Sequence, residues 1–206
     1  MTRAPFIVFE GGEGAGKSTQ SRALADYLEA RGHRVRRTRE PGGTPAAEAI
    51  RTVLLAPSNS GLDDRAEALL FAAGRGDHAA RVIRPALEAG EIVVCDRFLD
   101  SSIAYQGIAR GLGAERIAEL SLWATGGLLP DLTILLDVDP ALGLARVVGP
   151  DRLESEPAEW HARVRQGFLD IASSSPDRYL VLDGSRPAED LAVEIAVAVG
   201  ALVGDA

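Results

Sequence analysis

Nine consecutive residues, Gly11-Gly12-Glu13-Gly14-Ala15-Gly16-Lys17-Ser18-Thr19, put a lysine and two hydroxyls at the end of a glycine-rich run. Glycines let successive backbone N–H groups turn inward around an anion, and a helix beginning at the lysine adds its dipole. The spacing Gly-x4-Gly-Lys-Ser, Gly11 to Ser18, follows an apolar run and precedes an amphipathic stretch, the setting in which it forms a phosphate loop. The chemistry is that of a nucleoside triphosphate. Gly11, Gly12, Gly14, Ala15, Gly16 and Thr19 are expected to cradle its phosphates, Lys17 to reach the β- and γ-phosphates, and the Ser18 hydroxyl to suit Mg²⁺. Glu13 is the odd member, a carboxylate where phosphates crowd. A side chain there can point outward, toward a second substrate.

A second centre lies in Ile92–Phe98, IVVCDRF. Asp96 closes the apolar run and, beside a phosphate loop, reads as the acid that helps hold Mg²⁺ through water, although an aspartate at a strand end also serves as a plain turn former. Arg97 adds a cation where a transferring phosphoryl group would develop charge. No nucleophilic side chain is required if the acceptor is itself a phosphate oxyanion, because catalysis is then positioning plus charge stabilisation. His33, His78 and His161 share no ligand spacing and are read as solvated or helix-surface residues, and Cys95 as a small buried strand residue.

Short apolar runs must hold these groups. Phe6–Phe9, Ile92–Cys95, Leu132–Val138 and Tyr179–Leu182 read as strands buried on both faces, with a weaker one from Val35 to Thr38. Helices are expected at Lys17–Ala30, Thr44–Leu55, Asp63–Ala89, Ala114–Thr125, Pro140–Val147, Ala158–Ala172 and Ala188–Leu202. Alternating strands and helices predict an α/β domain with a parallel sheet covered on both sides. Ligands then sit beyond the carboxyl ends of the strands, which read Glu10, Arg39-Glu40-Pro41, Asp96-Arg97, Asp137 and Asp183-Gly184.

The 206 residues suit one domain, 1–206, with no repeat or linker to divide it. A net charge of −8 argues against a general nucleic-acid binder but leaves room for a local arginine cluster around a small anion. A single cysteine excludes an internal disulfide, and no apolar run approaches a membrane span or a signal-peptide core, so no membrane association is expected and the cytoplasm is the expected location.

The stretch DRFLDSSIAYQGIARG from Asp96, together with FIVFEGGEGAGKST, TREPGGT, EAIRTVLL, LLFAAGRGDH, GGLLPDLTILLDV, DRLE and DGSRP, resembles the thymidylate kinase family, its bacterial branch in particular, over most of the chain. The resemblance implies a P-loop NTPase fold with a central five-stranded parallel sheet flanked by helices and a short lid. It implies transfer of the γ-phosphoryl group of ATP, with Mg²⁺, to dTMP to give dTDP, by a homodimer. Phe71 would stack on the thymine, and Arg75, one helical turn on, would hydrogen-bond a base carbonyl. Ser102 and Gln106 would read the polar edge of the base, and Tyr105 would crowd the sugar 2′ position. Arg39, with Glu40 beside it at the strand end, Arg51 and Arg97 would surround the acceptor phosphate. Glu13 would accept from the sugar 3′-OH and approach Mg²⁺, while Arg186, in DGSRP, and a lid arginine, Arg146, would border the adenine.

The lid is expected over about 146–158, to close and exclude water. The bacterial members combine a glycine at the position of Gly14 with several lid arginines. Here only Arg146 and Arg152 are present, with Val147-Val148-Gly149-Pro150 where more basic residues are expected. Arg152 or Arg146 is therefore expected to supply the transition-state cation with Lys17 and Arg97. Two rivals stay open: another nucleotide kinase on the same scaffold, and a nucleotide-binding protein without kinase activity.

Overall fold

The computed structural model of the chain describes residues 4–149 and 151–205. Met1 to Arg3, Pro150 and Ala206 belong to the expected domain, and Pro150 to the expected lid, but lie outside the described residues. Strands β1 (Phe6–Glu10), β2 (Val35–Arg39), β3 (Ile92–Asp96), β4 (Leu132–Asp137) and β5 (Tyr179–Asp183) form one parallel sheet in the order β2-β3-β1-β4-β5. Strand order reverses about β1, so a crevice opens at its carboxyl end, where the phosphate loop begins.

The helices are α1 (Lys17–Glu29), α2 (Pro45–Leu55), α3 (Asp64–His78), α4 (Arg84–Glu88), α5 (Leu99–Ser102), α6 (Ala114–Thr125), α7 (Pro140–Leu144), α8 (Ala158–Ser174) and α9 (Ala188–Val203). Alternation along β1 serves both faces of the sheet. Phe6 and Val8 pack with Ile83, Leu87 and Ile117 on one side, and Ile7 and Phe9 with Leu24, Leu28 and Ile195 on the other. All four strand residues are fully buried, which is why the run is apolar throughout.

Several expectations need correction. β5 is an edge strand, and Val181 is 47% exposed, so it is not buried on both faces. The helix expected over Asp63–Ala89 is interrupted by a π-helical turn at Ala79–Ile83. Pro85 has no N–H to offer and its ring crowds the preceding turn, so the backbone widens and Arg84 N–H bonds Ala79 O instead. The helix expected over Pro140–Val147 ends at Leu144, because the N–H groups of Arg146 and Val147 close tighter turns on Gly143 and Leu144. The stretch after Phe98 is helical, α5 running into a π-helical segment at Ile103–Ala109, although Asp100, Ser101, Ser102 and Gly107 are poor helix formers. Glu10 explains it: its carboxylate accepts from Phe98 N–H at 2.8 Å and Ser101 N–H at 3.1 Å and so caps the helix.

The histidines are not solvated. His78 is fully buried and His161 nearly so, while His33 is half-buried against Asp205.

Candidate active site

A cavity of about 680 Å³ runs along the carboxyl ends of β1, β2 and β3. One end is the phosphate loop, where Glu13 through Thr19 line the wall. Gly11 and Gly12 lie behind it and act through their carbonyls: Gly12 O accepts from Lys17 Nζ at 2.6 Å and Gly11 O from Arg97 Nη1 at 2.9 Å. Gly14 has φ 63° and lies so close to Gly143 O that no Cβ would fit, while Gly143 is equally tight against Glu13 O. α7 therefore buttresses the loop through bare backbone, a role for Gly143 that its sequence neighbourhood does not announce. Ser18 Oγ donates to Asp96 Oδ2 at 2.5 Å.

Lys17 is buried, and burial together with the charge of Arg97 lowers its pKa to about 8 against the pull of Glu13, Asp96 and Glu10. The cationic form is the one that attracts phosphate, so it is lost as pH rises. In the free enzyme, kcat/KM for the triphosphate is expected to decline as pH rises through about 8. At saturating triphosphate the phosphates restore the charge, and kcat should hold to higher pH. A pH profile in which kcat/KM stays flat to pH 9 would contradict this.

The seam of the cavity is Arg97. It sits in the left-handed region at φ 69°, which turns its side chain back across the loop. Nη2 donates to both oxygens of Glu13 at 2.9 Å, and Nη1 to Ser101 Oγ at 3.1 Å as well as to Gly11 O. Tyr105 OH adds a bond to Glu13 Oε1 at 2.6 Å. Burial would raise the Glu13 pKa, but Arg97, Lys17 and the Tyr105 hydroxyl outweigh it and bring it to about 2. Burial likewise works against the Arg97 charge and is overcome by Glu13, so the pair is ionised.

Beyond the seam, Arg39 and Arg51 share the wall with Arg97, and both donate to Pro41 O, at 2.7 and 3.0 Å. Burial and then the like charge of Arg39 lower the Arg51 pKa, and Arg97 adds to this. Three guanidiniums held together against their repulsion suit a dianion. Phe71, Arg75, Ser102, Tyr105 and Gln106 line the far end. Arg75 donates to Glu40 Oε2 at 2.8 Å, Ser121 Oγ at 3.2 Å, Phe98 O at 3.2 Å and Ser102 Oγ at 2.9 Å, which leaves one Nη1 hydrogen unused. Glu40 lines the cavity, but its oxygens are occupied by Arg75 and by His78 Nδ1 at 3.0 Å, so it bears on a ligand through Arg75.

The two lid arginines separate. Arg146 lines the cavity near the loop, donating to Gly14 O at 3.1 Å and Gly184 O at 3.3 Å. Arg186 borders the same end, paired with Glu194 at 2.7 Å. Arg152 is buried away from the cavity, its Nε on Leu54 O at 2.7 Å and its Nη2 on Glu67 Oε2 at 2.6 Å. The structure does not bring Arg152 to the cavity wall, because Glu67 and Leu54 O hold it.

A family model described as thymidylate kinase matches residues 9–195. Thymidylate kinases of Clavibacter michiganensis and Deinococcus radiodurans are 52% and 50% identical, covering 96% and 97% of this chain and 95% and 98% of theirs. The chain belongs to the thymidylate kinase family. The crystal structure of thymidylate kinase from Ehrlichia chaffeensis superposes with a TM-score of 0.74 at 39% identity, covering 88% of this chain and 93% of that one. The fold is accordingly the P-loop NTPase α/β fold, and the family's reaction is the ATP-dependent phosphorylation of dTMP to dTDP.

Thymidylate kinase chemistry uses Mg²⁺ with ATP, and the donors here fit it. A hydroxyl and a carboxylate, Ser18 and Asp96, face each other with hard oxygens, and Mg²⁺ takes one or two such ligands plus phosphates and water. No group of three or more His, Cys, Asp or Glu is gathered to hold a metal among the described residues. Ser101 went unread in the sequence, and Glu10 was read only as a polar strand end. Ser101 bridges Arg97 and Glu10, and Glu10 itself has a pKa pushed up to about 7 by burial and by Asp100. The one signal for Glu10 is an acid that closes an otherwise apolar strand immediately before the loop.

Proposed function

We propose that this cavity binds Mg·ATP at the phosphate loop and dTMP between Arg97 and Phe71, and passes the γ-phosphoryl group directly between them. The observation that carries the reading is Arg97, whose one guanidinium touches the loop at Gly11 and the acid Glu13 while sharing the cavity wall with Arg39 and Arg51. Lys17 draws in the β- and γ-phosphates. A Mg²⁺ ion bound with ATP, held by Ser18 and through water by Asp96, would neutralise charge on the β- and γ-oxygens. Arg39, Arg51 and Arg97 aim the acceptor phosphate, and Arg97 with Lys17 meets the charge that develops in transfer. Arg146, on Gly14 and Gly184, covers the adenine side with Arg186. With Arg152 held by Glu67, the lid arginine that remains at the loop is Arg146, and the transition-state cation is assigned to Arg146 with Arg97 and Lys17.

Phe71 stacks on the base, Arg75 donates to its carbonyl, and Tyr105 closes the sugar 2′ side. Residues 1–206 act as one domain with a lid at about 146–158, in the cytoplasm, and no described helix is long and apolar enough to cross a membrane. Leu69 and Trp123, exposed on the mutually packed helices α3 and α6, support a homodimer through that face. Sedimentation velocity that finds only monomer at micromolar concentration would refute the dimer.

ADP release measured with dTMP, dUMP, UMP, CMP and thymidine as acceptors tests the assignment. dTMP should lead by at least about tenfold over UMP and CMP. Equal rates on UMP and dTMP would return the site to a general nucleotide kinase, and binding of both nucleotides without turnover would make it a non-catalytic binder.

A further inference from the structure

Glu67, on the first turn of α3, is completely buried, and nothing assigned above uses it beyond its hold on Arg152. Its carboxylate meets only donors. Oε1 accepts from Gln106 Nε2 at 2.8 Å and Oε2 from Arg152 Nη2 at 2.6 Å, with the Arg110 guanidinium 3.4 Å from both oxygens. An amide side chain has one acceptor end and one donor end, and its orientation is set by its neighbours. With Nε2 committed to a carboxylate, Gln106 has its carbonyl oxygen left for the cavity it lines. Arg75, which lines the same end of the cavity, keeps one Nη1 hydrogen unused by its protein partners. An acceptor beside a donor matches a pyrimidine edge that presents N–H next to C=O. It opposes the cytosine edge, which presents a ring nitrogen next to NH₂.

We propose that Glu67 is a positioning residue that locks the Gln106 amide as an acceptor, and thereby sets discrimination between thymine-type and cytosine-type bases. The proposal rests on the placement of the base given above. Its logic is clearest in the isosteric change Glu67→Gln. The two guanidiniums at Glu67 would draw the single remaining carbonyl to themselves and turn the new NH₂ toward Gln106. Gln106 would then have to accept, and its own NH₂ would face the base.

The test compares kcat/KM for dTMP with that for 5-methyl-dCMP, which differs only along this edge, in the wild type, E67Q and E67D. E67D keeps the charge facing the two guanidiniums but withdraws the carboxylate from Gln106, so it carries the test if E67Q does not fold. The dTMP preference is expected to fall by about tenfold or more in each folded variant, through KM for dTMP, with kcat for dTMP within about threefold. A purely structural Glu67 would lower thermal stability and active fraction and leave the ratio of the two acceptors at the wild-type value, which would overturn the proposal. A wild type with no preference between the two acceptors would instead overturn the base placement on which it rests.

Discussion

Arg97→Ala is expected to lower kcat for dTMP by roughly 10³-fold or more, the scale on which phosphoryl-transfer enzymes depend on a transition-state guanidinium. One side chain does several jobs at once. Arg97 ties Gly11 O, Ser101 Oγ and both oxygens of Glu13 into one frame. Its loss removes the cation at the transferring group and also leaves Glu13 as a buried carboxylate with Lys17 as its main counter-charge. Arg97→Lys should recover little, because an ammonium cannot fork across a carboxylate and a phosphate together. Thermal melting separates a catalytic loss from unfolding. A folded R97A enzyme with kcat within tenfold of wild type would remove Arg97 from the chemistry.

Glu13→Gln is expected to cost about 10² in kcat/KM for dTMP, of the order found when one positioned polar group is taken from a transition-state site. The amide keeps one acceptor but turns an NH₂ toward Arg97, so the two-pronged contact is lost and the guanidinium is free to swing. If Glu13 also accepts from the sugar 3′-OH, the loss with dTMP should exceed the loss with its 3′-deoxy analogue. Equal losses would confine Glu13 to orienting Arg97. The pH behaviour follows from its pKa of about 2, set against 4.5 when unperturbed. A lowered acid pKa adds stability that is fully present above about 4.5 and is lost as pH falls through 2, so Glu13 contributes no acid limb near neutrality.

What could be read in advance, and what could not, divides by the distance over which residues act. The phosphate loop, the strands and the polar strand ends were legible because glycine spacing and apolar runs are local signals. The resemblance supplied the acceptor residues, and the structure gathers Arg39, Arg51, Phe71, Arg75, Ser102, Tyr105 and Gln106 around the cavity. Arg152 could not be placed from its neighbours in the chain, since the carboxylate that captures it lies 85 residues away. Nor could the burial of His78, whose partners Thr38 and Glu40 arrive from β2 and the loop after it. Gly143 falls inside the helix expected over Pro140–Val147, and only its approach to Glu13 O shows why a side chain is excluded. The helix after Phe98 contradicts its own composition because the carboxylate that caps it is on β1.

Donor and acceptor phosphates are expected to meet at Arg97 and Glu13 and to react directly. Single-turnover transfer from γ-labelled ATP, with enzyme in excess over ATP and dTMP present, tests it most directly. Label should pass from ATP to dTDP in one phase, with no labelled protein at any time and no ADP formed faster than dTDP. Labelled protein that forms and decays at the rate of dTDP formation, or loss of ATP label without labelled dTDP, would contradict the account.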